Sequence, residues 1–182
     1  GKITGIIDDG ATRIGVESTV LDLSDPTAMP MILRPGAVTK EQIEAVIESP
    51  VAIDQHLVKE NETPKAPGMK YKHYSPDTRV LMVRDGDWST AVQWAKNKKI
   101  RVGVIASPEI SDQVRTDTAA VYMYNDNSVE AAAKGLFAGL RGLDEPTLGL
   151  DLIFVQVYPE TGLGNAYMNR LKKAAGQNYF EK

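Results

Sequence analysis

Val102-Gly103-Val104-Ile105-Ala106 is an uninterrupted apolar run, and it is the best indicator of fold class in this chain. A strand that faces solvent on one side alternates apolar and polar residues, whereas a strand covered on both faces is apolar throughout. Strands of the second kind are typical of parallel sheets that carry helices on both faces. The run therefore predicts a buried strand inside a parallel sheet.

Strands and helices alternate on both sides of this run. Apolar and β-branched content predicts further strands over residues 79–83, 119–124 and 152–158. Apolar spacing predicts helices over residues 88–98, 108–114 and 162–175, and one more that begins after Asn127 as its N-cap. Because such alternation indicates a parallel sheet between two helix layers, we expect residues 78–182 to form a complete small Rossmann-like domain.

The first part of the chain contains fewer elements. Strands are predicted over residues 15–23, 31–34 and 51–57, and a capping box at Thr39 predicts a short helix before the last of them. Two or three strands and one helix are too few to bury a core alone. We therefore expect residues 1–58 to be the C-terminal part of a larger domain whose front part lies before residue 1.

Residues 59–77 connect the two parts and have an unusual composition. Three prolines within this segment disfavour both helix and central strand. A passive tether lacks large side chains, yet this connector includes Met69-Lys70-Tyr71-Lys72-His73-Tyr74. Two interpretations stay open: a strap packed across the surface, or a lid over a ligand site.

Composition excludes several classes of protein. The 182 residues carry a formal net charge of -3, which does not favour binding to nucleic acid or to an anionic membrane. No apolar run approaches the roughly 20 residues that a membrane span needs. The absence of cysteine excludes disulfides and thiolate sites, and two histidines argue against a multi-histidine zinc site. These features fit a cytoplasmic protein.

Three polar residues of the first part are candidates for ligand contacts. Arg34 ends a predicted strand just before a Pro-Gly turn and a helix N-terminus, where a guanidinium group could hold an anion. The alternative is a surface arginine paired with a carboxylate. Ser18 and Thr19 are neighbours in a predicted strand, so their side chains face opposite sides and at most one reaches a given pocket.

Two further motifs are weak indicators. Asp8-Asp9-Gly10 could hold magnesium, but an acidic turn is more often only a turn. Gly162-Leu163-Gly164 opens a predicted helix after a strand and could cradle a phosphate, although it lacks the third glycine of the dinucleotide fingerprint.

Several ordered motifs resemble one known family. They are Gly15-Val16-Glu17-Ser18-Thr19-Val20, Ile32-Leu33-Arg34-Pro35-Gly36 and Pro67-Gly68-Met69-Lys70-Tyr71-Lys72-His73-Tyr74-Ser75-Pro76, with Gly162-Leu163-Gly164 and Asn169-Arg170-Leu171 near the end. Together they are similar to the two-domain form of threonylcarbamoyl-AMP synthase, in the YrdC-like superfamily. The resemblance implies an α/β fold: the C-terminal portion of a YrdC-like twisted mixed-sheet domain, a linker, and a small Rossmann-like parallel-sheet domain.

The resemblance also implies an activity. The family is a nucleotidyltransferase that condenses L-threonine, bicarbonate and ATP into threonylcarbamoyl-AMP and pyrophosphate, for threonylcarbamoyladenosine formation in tRNA. It implies Mg²⁺ accompanying ATP, no tightly bound cofactor, contact with tRNA, and other tRNA threonylcarbamoylation proteins as partners. A membrane is not among the expected partners.

Five residues receive expected roles by matching the family's motifs. Ser18, with Thr19 beside it, would contact threonine; Arg34 would contact the nucleotide; His73 and Tyr74 would close over the ATP site as part of the lid. The resemblance assigns no catalytic residue. The family's Lys-x-Arg and Ser-x-Asn motifs belong before residue 1, so we expect this chain alone to be inactive. An RNA-binding translation factor and a regulatory nucleotide-binding module without catalysis are the alternatives.

Overall fold

The computed structural model describes residues 3–10, 12–54 and 75–181, and they contain seven strands and five α-helices. The strands are β1 (Val20–Asp22), β2 (Met31–Arg34), β3 (Ala52–Ile53), β4 (Arg79–Val83), β5 (Val102–Ala106), β6 (Ala120–Met123) and β7 (Leu152–Gln156). The helices are α1 (Lys40–Ile47), α2 (Trp88–Asn97), α3 (Pro108–Val114), α4 (Val129–Leu143) and α5 (Leu163–Ala174). We call the described residues up to 54 the first unit and those from 75 the second unit.

The second unit is built on a parallel sheet with strand order β4-β7-β5-β6. The predicted buried strand β5 is fully buried along its length and lies between β7 and β6. Leu81, Phe154 and Val104 lie side by side across three strands. The next row, Met82, Val155 and Ile105, faces the opposite side of the sheet because side chains alternate along a strand.

Helices cover both faces of this sheet. The row that contains Phe154 packs against α2 and α3, in a core that includes Trp88 and Ile110. The row that contains Val155 packs against α4 and α5, in a core that includes Leu136 and Tyr167. This three-layer arrangement confirms the predicted Rossmann-like fold of the second unit.

The first unit is a small mixed sheet with one helix. Strand β2 lies in the centre, antiparallel to β1 and parallel to β3. Its main core is limited to Ile32, Ile43 and Val51 with two half-buried neighbours. Ile6, Ile7 and Val46 are largely exposed. The mixed sheet and the small core agree with the sequence predictions, and the capping box at Thr39 forms at the start of α1.

Several predicted boundaries differ from the structure, three of them in ways that have a clear physical reason. The first strand is shorter than predicted because pairing with β2 begins only at Val20, and β7 ends at Gln156 rather than at residue 158. The N-cap of α4 is Ser128, whose hydroxyl accepts from the Ala131 amide at 3.1 Å, and not Asn127. The Asn127 side chain instead accepts from the amide of Glu109. The predicted boundary at residue 58 lies outside the described residues, and the predicted division of the chain at residues 58 and 77 stays a prediction.

None of the helices in the described segments combines the length and the apolar content needed to cross a lipid bilayer.

Candidate functional site

Ser18 and Arg34, two of the predicted site residues, are in contact. Arg34 is the last residue of β2, and Ser18 lies just before β1, which pairs with β2 in antiparallel orientation. The Arg34 Nε donates to the Ser18 carbonyl oxygen at 3.1 Å, and Nη2 lies 3.3 Å from the Ser18 hydroxyl oxygen. Ser18 is exposed and Arg34 half-buried. The pair therefore offers a hydroxyl and a guanidinium group side by side to a ligand.

Thr19 points to a different partner. Its hydroxyl donates to the Val38 carbonyl at 2.5 Å, in the segment that leads into α1. The divergence of Ser18 and Thr19 is what neighbouring residues of an extended chain produce. Thr19 therefore ties the Ser18 segment to the start of α1, and its part in threonine binding stays a prediction.

Gly36 allows the backbone that follows Arg34 to lie in direct contact with the backbone of residues 17–19. A Cβ atom at this position would lie 2.5 Å from the Glu17 carbonyl oxygen and would overlap the Thr19 backbone nitrogen. Any side chain here would push the Ser18 segment away from β2. The Pro-Gly turn thus positions Ser18 against Arg34, in addition to ending the strand.

Arg170 of α5 is a site residue that the sequence analysis did not identify. Its side chain is 4% exposed, and its Nε and Nη2 atoms lie 2.9 and 2.7 Å from the Glu17 carboxylate oxygen Oε2. Its Nη1 donates to the Pro35 carbonyl oxygen. A signal for it exists in the sequence: an arginine stands within the inward stripe of α5, between the buried residues Tyr167 and Leu171.

Lys173, one turn after Arg170 on α5, adds a third cation to this region. Burial chiefly lowers the pKa of Lys173, nearby Arg170 lowers it further, Glu17 opposes the shift, and Arg34 contributes in the lowering direction. Three basic side chains and one carboxylate therefore share one neighbourhood. Their net charge is positive, which suits an anionic ligand.

The connector between the units meets the same helix. The predicted lid residues His73 and Tyr74 lie outside the described residues. The described chain resumes at Ser75, whose hydroxyl oxygen lies 3.4 Å from the Lys173 carbonyl oxygen. The amides of Asp77 and Thr78 then donate to the Asp144 carboxylate, 3.0 and 2.8 Å away.

The glycine motif of α5 does not offer an open phosphate cradle. The Gly162 amide points at the Glu41 carboxylate of α1, with 3.4 Å between nitrogen and oxygen. A Cβ atom at Gly164 would overlap the Pro159 carbonyl oxygen, so this glycine is needed for packing within the second unit. A carboxylate from the first unit therefore lies at the predicted phosphate position, next to the positive end of the helix dipole.

The acidic motif near the start of the chain forms a turn. The Asp8 carboxylate accepts from the Gly10 amide at 2.8 Å, and Gly10 has a φ of 83°. Within residues 3–10, 12–54 and 75–181, no group of three or more His, Cys, Asp or Glu side chains is arranged to hold a metal ion.

A polar cleft of about 790 Å³ lies between the two units, beside Pro35. Its lining includes the cations Lys40 and Lys172 and the carboxylates of Glu41, Asp54 and Glu160. These charges sum to a negative value, so this cleft does not favour an anionic ligand. The positive charge is concentrated instead at the cluster of Arg34, Arg170 and Lys173.

Comparison with known proteins gives a consistent result. Residues 38–176 match the protein family described as "Threonylcarbamoyl-AMP synthase, C-terminal domain". The chain is 43% identical to the threonylcarbamoyl-AMP synthase of Bacillus subtilis (strain 168), over 97% of this chain and 50% of that protein. It is 42% identical to the enzyme of the same name from Pyrococcus abyssi, over 97% of this chain and 50% of that protein. The chain thus spans about half the length of these curated relatives.

Solved structures agree. The crystal structure of Pyrococcus abyssi Sua5 complexed with L-threonine superposes with a TM-score of 0.83 and 39% identity, over 100% of this chain and 52% of that one. A variant of the same protein, with a neighbouring histidine and tyrosine replaced by alanine, superposes with a TM-score of 0.78 and 37% identity, over 95% and 48% of the two chains.

Proposed function

This chain belongs to the threonylcarbamoyl-AMP synthase family, and from that membership we propose that it contributes to forming threonylcarbamoyl-AMP and pyrophosphate from L-threonine, bicarbonate and ATP. The observation that carries the proposal is the contact between Ser18 and Arg34, in a chain similar along its whole length to a protein solved with L-threonine. The product would feed threonylcarbamoyladenosine formation in tRNA, in the cytoplasm. tRNA and the other proteins of that modification are the proposed partners.

In this proposal Ser18 contacts threonine and Arg34 contacts the nucleotide. The threonine amine first condenses with bicarbonate to a carbamate, with loss of one water molecule. A carbamate oxygen then attacks the α-phosphorus of ATP, and the bond from that phosphorus to pyrophosphate breaks as pyrophosphate leaves. Both charged reactants are anions, so the positive charges of Arg34 and Lys173, which remain after Arg170 pairs with Glu17, would stabilise them. Carbamates and mixed anhydrides hydrolyse readily, so exclusion of water matters.

His73 and Tyr74 are the proposed lid. They form the sole adjacent His-Tyr pair in the sequence. The solved variant of the Pyrococcus abyssi relative replaces a neighbouring histidine and tyrosine, which supports a role for such a pair. Ser75, the next residue, contacts α5 at Lys173, so the end of the connector lies close to the basic cluster.

Mg²⁺ enters the proposal only with ATP. The described residues hold no cluster of three or more side chains suited to a metal ion, so a dedicated metal site made by them does not fit.

The two alternative functions have less support. An RNA-binding translation factor would need a basic surface, whereas the net charge is -3. A regulatory nucleotide module would use the glycine motif of α5, whose first amide faces the Glu41 carboxylate.

The proposal is tested with a chimera in which this chain replaces the matching half of the Bacillus subtilis relative. We expect pyrophosphate release that requires threonine, bicarbonate and ATP together, and background release from the 182-residue chain alone. Ser18→Ala should raise the threonine KM, and Arg34→Met the ATP KM, each by about tenfold to a hundredfold, the worth of a hydrogen bond to a charged group.

Two variants serve as controls in the same chimera. The first is Ser89→Ala, at an exposed residue of α2, which covers the sheet face opposite α5. The second is Arg101→Met, which removes an exposed arginine of the second unit. Both should leave the two KM values unchanged. A chimera that is folded and fully inactive would contradict the proposed function.

A further inference from the structure

Arg170 makes its main contacts outside its own unit. The guanidinium group is buried, and two of its nitrogens contact one carboxylate oxygen of Glu17 while the third reaches the Pro35 carbonyl. Within its own helix it has a contact with the Ala166 carbonyl oxygen, which is longer at 3.4 Å. The shortest hydrogen bonds of this side chain are therefore those with residues of the first unit.

The two segments that Arg170 contacts are the ones that carry Ser18 and Arg34. Glu17 immediately precedes Ser18, and Pro35 immediately follows Arg34. The two segments also touch each other directly at Gly36 and through the hydrogen bonds from Arg34 to Ser18. Arg170, a residue of the second unit, thus connects the segment that carries Ser18 to the segment that carries Arg34.

A planar guanidinium group is suited to this task. Its donors are fixed in one fork, so the positions of a carboxylate and a carbonyl that both bind it are fixed relative to each other. A lysine in the same place would pair with Glu17 as a point charge and would leave Pro35 without that constraint.

We propose that Arg170 is a positioning residue for the substrate site, through which the second unit holds Ser18 and Arg34 in the arrangement that meets threonine and nucleotide. The inference rests on the proposed function for the identity of the ligands. Arg170 does not touch the ligands itself: it acts through Glu17 and Pro35. The second unit then contributes to the substrate site, because its residue Arg170 fixes the positions of Ser18 and Arg34.

The test begins with the 182-residue chain without any ligand. We expect Arg170→Met to shift the backbone amide signals of residues 17–19, 34 and 36 in nuclear magnetic resonance spectra. Amide exchange there should accelerate about tenfold or more, since removing one partner of a buried ion pair is strongly destabilising locally. Glu17→Gln should shift the same two segments, and Arg170→Lys should give an intermediate effect.

Arg101→Met is the matched control. The Arg101 guanidinium also donates to a carbonyl, that of Leu148, at 3.3 and 3.1 Å, but it does so within the second unit. Its replacement should shift signals near Leu148 and leave residues 17–19, 34 and 36 unchanged.

Kinetics of the chimera separate positioning from folding. Mispositioned contacts raise the KM for threonine and for ATP, whereas a loss of folded protein lowers the maximal rate and leaves both KM values unchanged. We expect Arg170→Met to raise both KM values about tenfold or more and Arg170→Lys to restore part of that loss.

Signals that move only within α5 for both Arg170→Met and Glu17→Gln would overturn the proposal, as would unchanged KM values. If Arg170→Met does not fold, Glu17→Gln decides: shifts at residues 34 and 36 support positioning, and their absence overturns it. A chimera inactive with every variant counts against the proposed function, and the ligand-free spectra then decide the role of Arg170 alone.

Discussion

Two buried tyrosine side chains, Tyr124 and Tyr167, are hydrogen-bonded in the core of the second unit, and Tyr158 packs beside them. The Tyr124 and Tyr167 hydroxyl oxygens lie 3.0 Å apart, and Tyr167 donates to the Gln156 carbonyl at 2.5 Å. Tyr158 packs edge-on against Tyr167, with 5.2 Å between ring centroids. Buried hydroxyl groups need such partners, because an unmade hydrogen bond in the interior costs about 1–3 kcal/mol.

Burial makes these phenols hard to ionise, which predicts how stability depends on pH. Burial is the main cause that raises the pKa of Tyr158 from 10.0 to about 12, with the carboxylates of Asp85 and Asp126 adding to it. Burial also raises the pKa values of Tyr124 and Tyr167. Above about pH 10 the unfolded chain loses phenolic protons that the folded chain keeps, so the free energy of unfolding should fall as pH rises.

Tyr158→Phe isolates one of these groups. The stabilisation that neutral Tyr158 contributes is present below pH 10 and is lost as pH rises from 10 to about 12. In urea unfolding, the fall in unfolding free energy across that interval should therefore be shallower in Tyr158→Phe than in the parent chain. Identical slopes would show that Tyr158 ionises equally easily in both states.

At the scale of single elements, the start of α4 depends on one hydroxyl. The Ser128 side chain caps the Ala131 amide and also donates to the Asp126 carboxylate. Ser128→Ala should lower the free energy of unfolding by about 0.5–2 kcal/mol, the usual cost of removing an N-cap. Asn127→Ala should cost less than about 0.5 kcal/mol, as exposed substitutions away from a cap do. Urea unfolding followed by tryptophan fluorescence measures both; a larger loss for Asn127→Ala would assign the cap to Asn127.

This helix start shows what sequence patterns can predict. The apolar spacing of α4 predicts the helix, and the apolar run predicts β5, because both patterns record which face of an element is buried. Asn and Ser are both good N-caps, so the choice between Asn127 and Ser128 depends on backbone geometry that residue types do not encode. Pairing between distant segments is likewise absent from local patterns: Glu17 and Arg170 are 153 residues apart in sequence.

The contacts within the candidate site also could not be predicted from local sequence patterns. Motif resemblance identifies Ser18 and Arg34, but their mutual contact follows from the register of β1 on β2 and from the close approach at Gly36. Arg170 stands at helical spacing among apolar residues, so its burial could be inferred from the pattern, whereas its partners could not. A buried arginine requires a partner, and the fold of the whole chain decides which one it meets.

At the scale of the whole molecule, the two units differ greatly in the apolar core they bury. Among the described residues, the first unit buries four hydrophobic side chains: Ile32, Leu33, Ile43 and Val51. So small an apolar core cannot offset the conformational entropy that a segment of this length loses when it is ordered. The second unit buries thirty hydrophobic side chains on the two faces of its sheet.

The two units should therefore behave differently when separated. A protein of residues 78–182 should show one cooperative thermal transition by circular dichroism, because its two cores share a single sheet. A peptide of residues 1–58 should show no such transition, since its core is small and its Glu17 would lose Arg170. In the full chain, Arg170→Met should weaken the attachment of the first unit, because it removes one partner of a buried ion pair, whereas the two apolar cores that hold the second unit together stay intact. A cooperative transition from residues 1–58 alone would contradict this division, and would mean that the first unit holds Ser18 against Arg34 without help from α5.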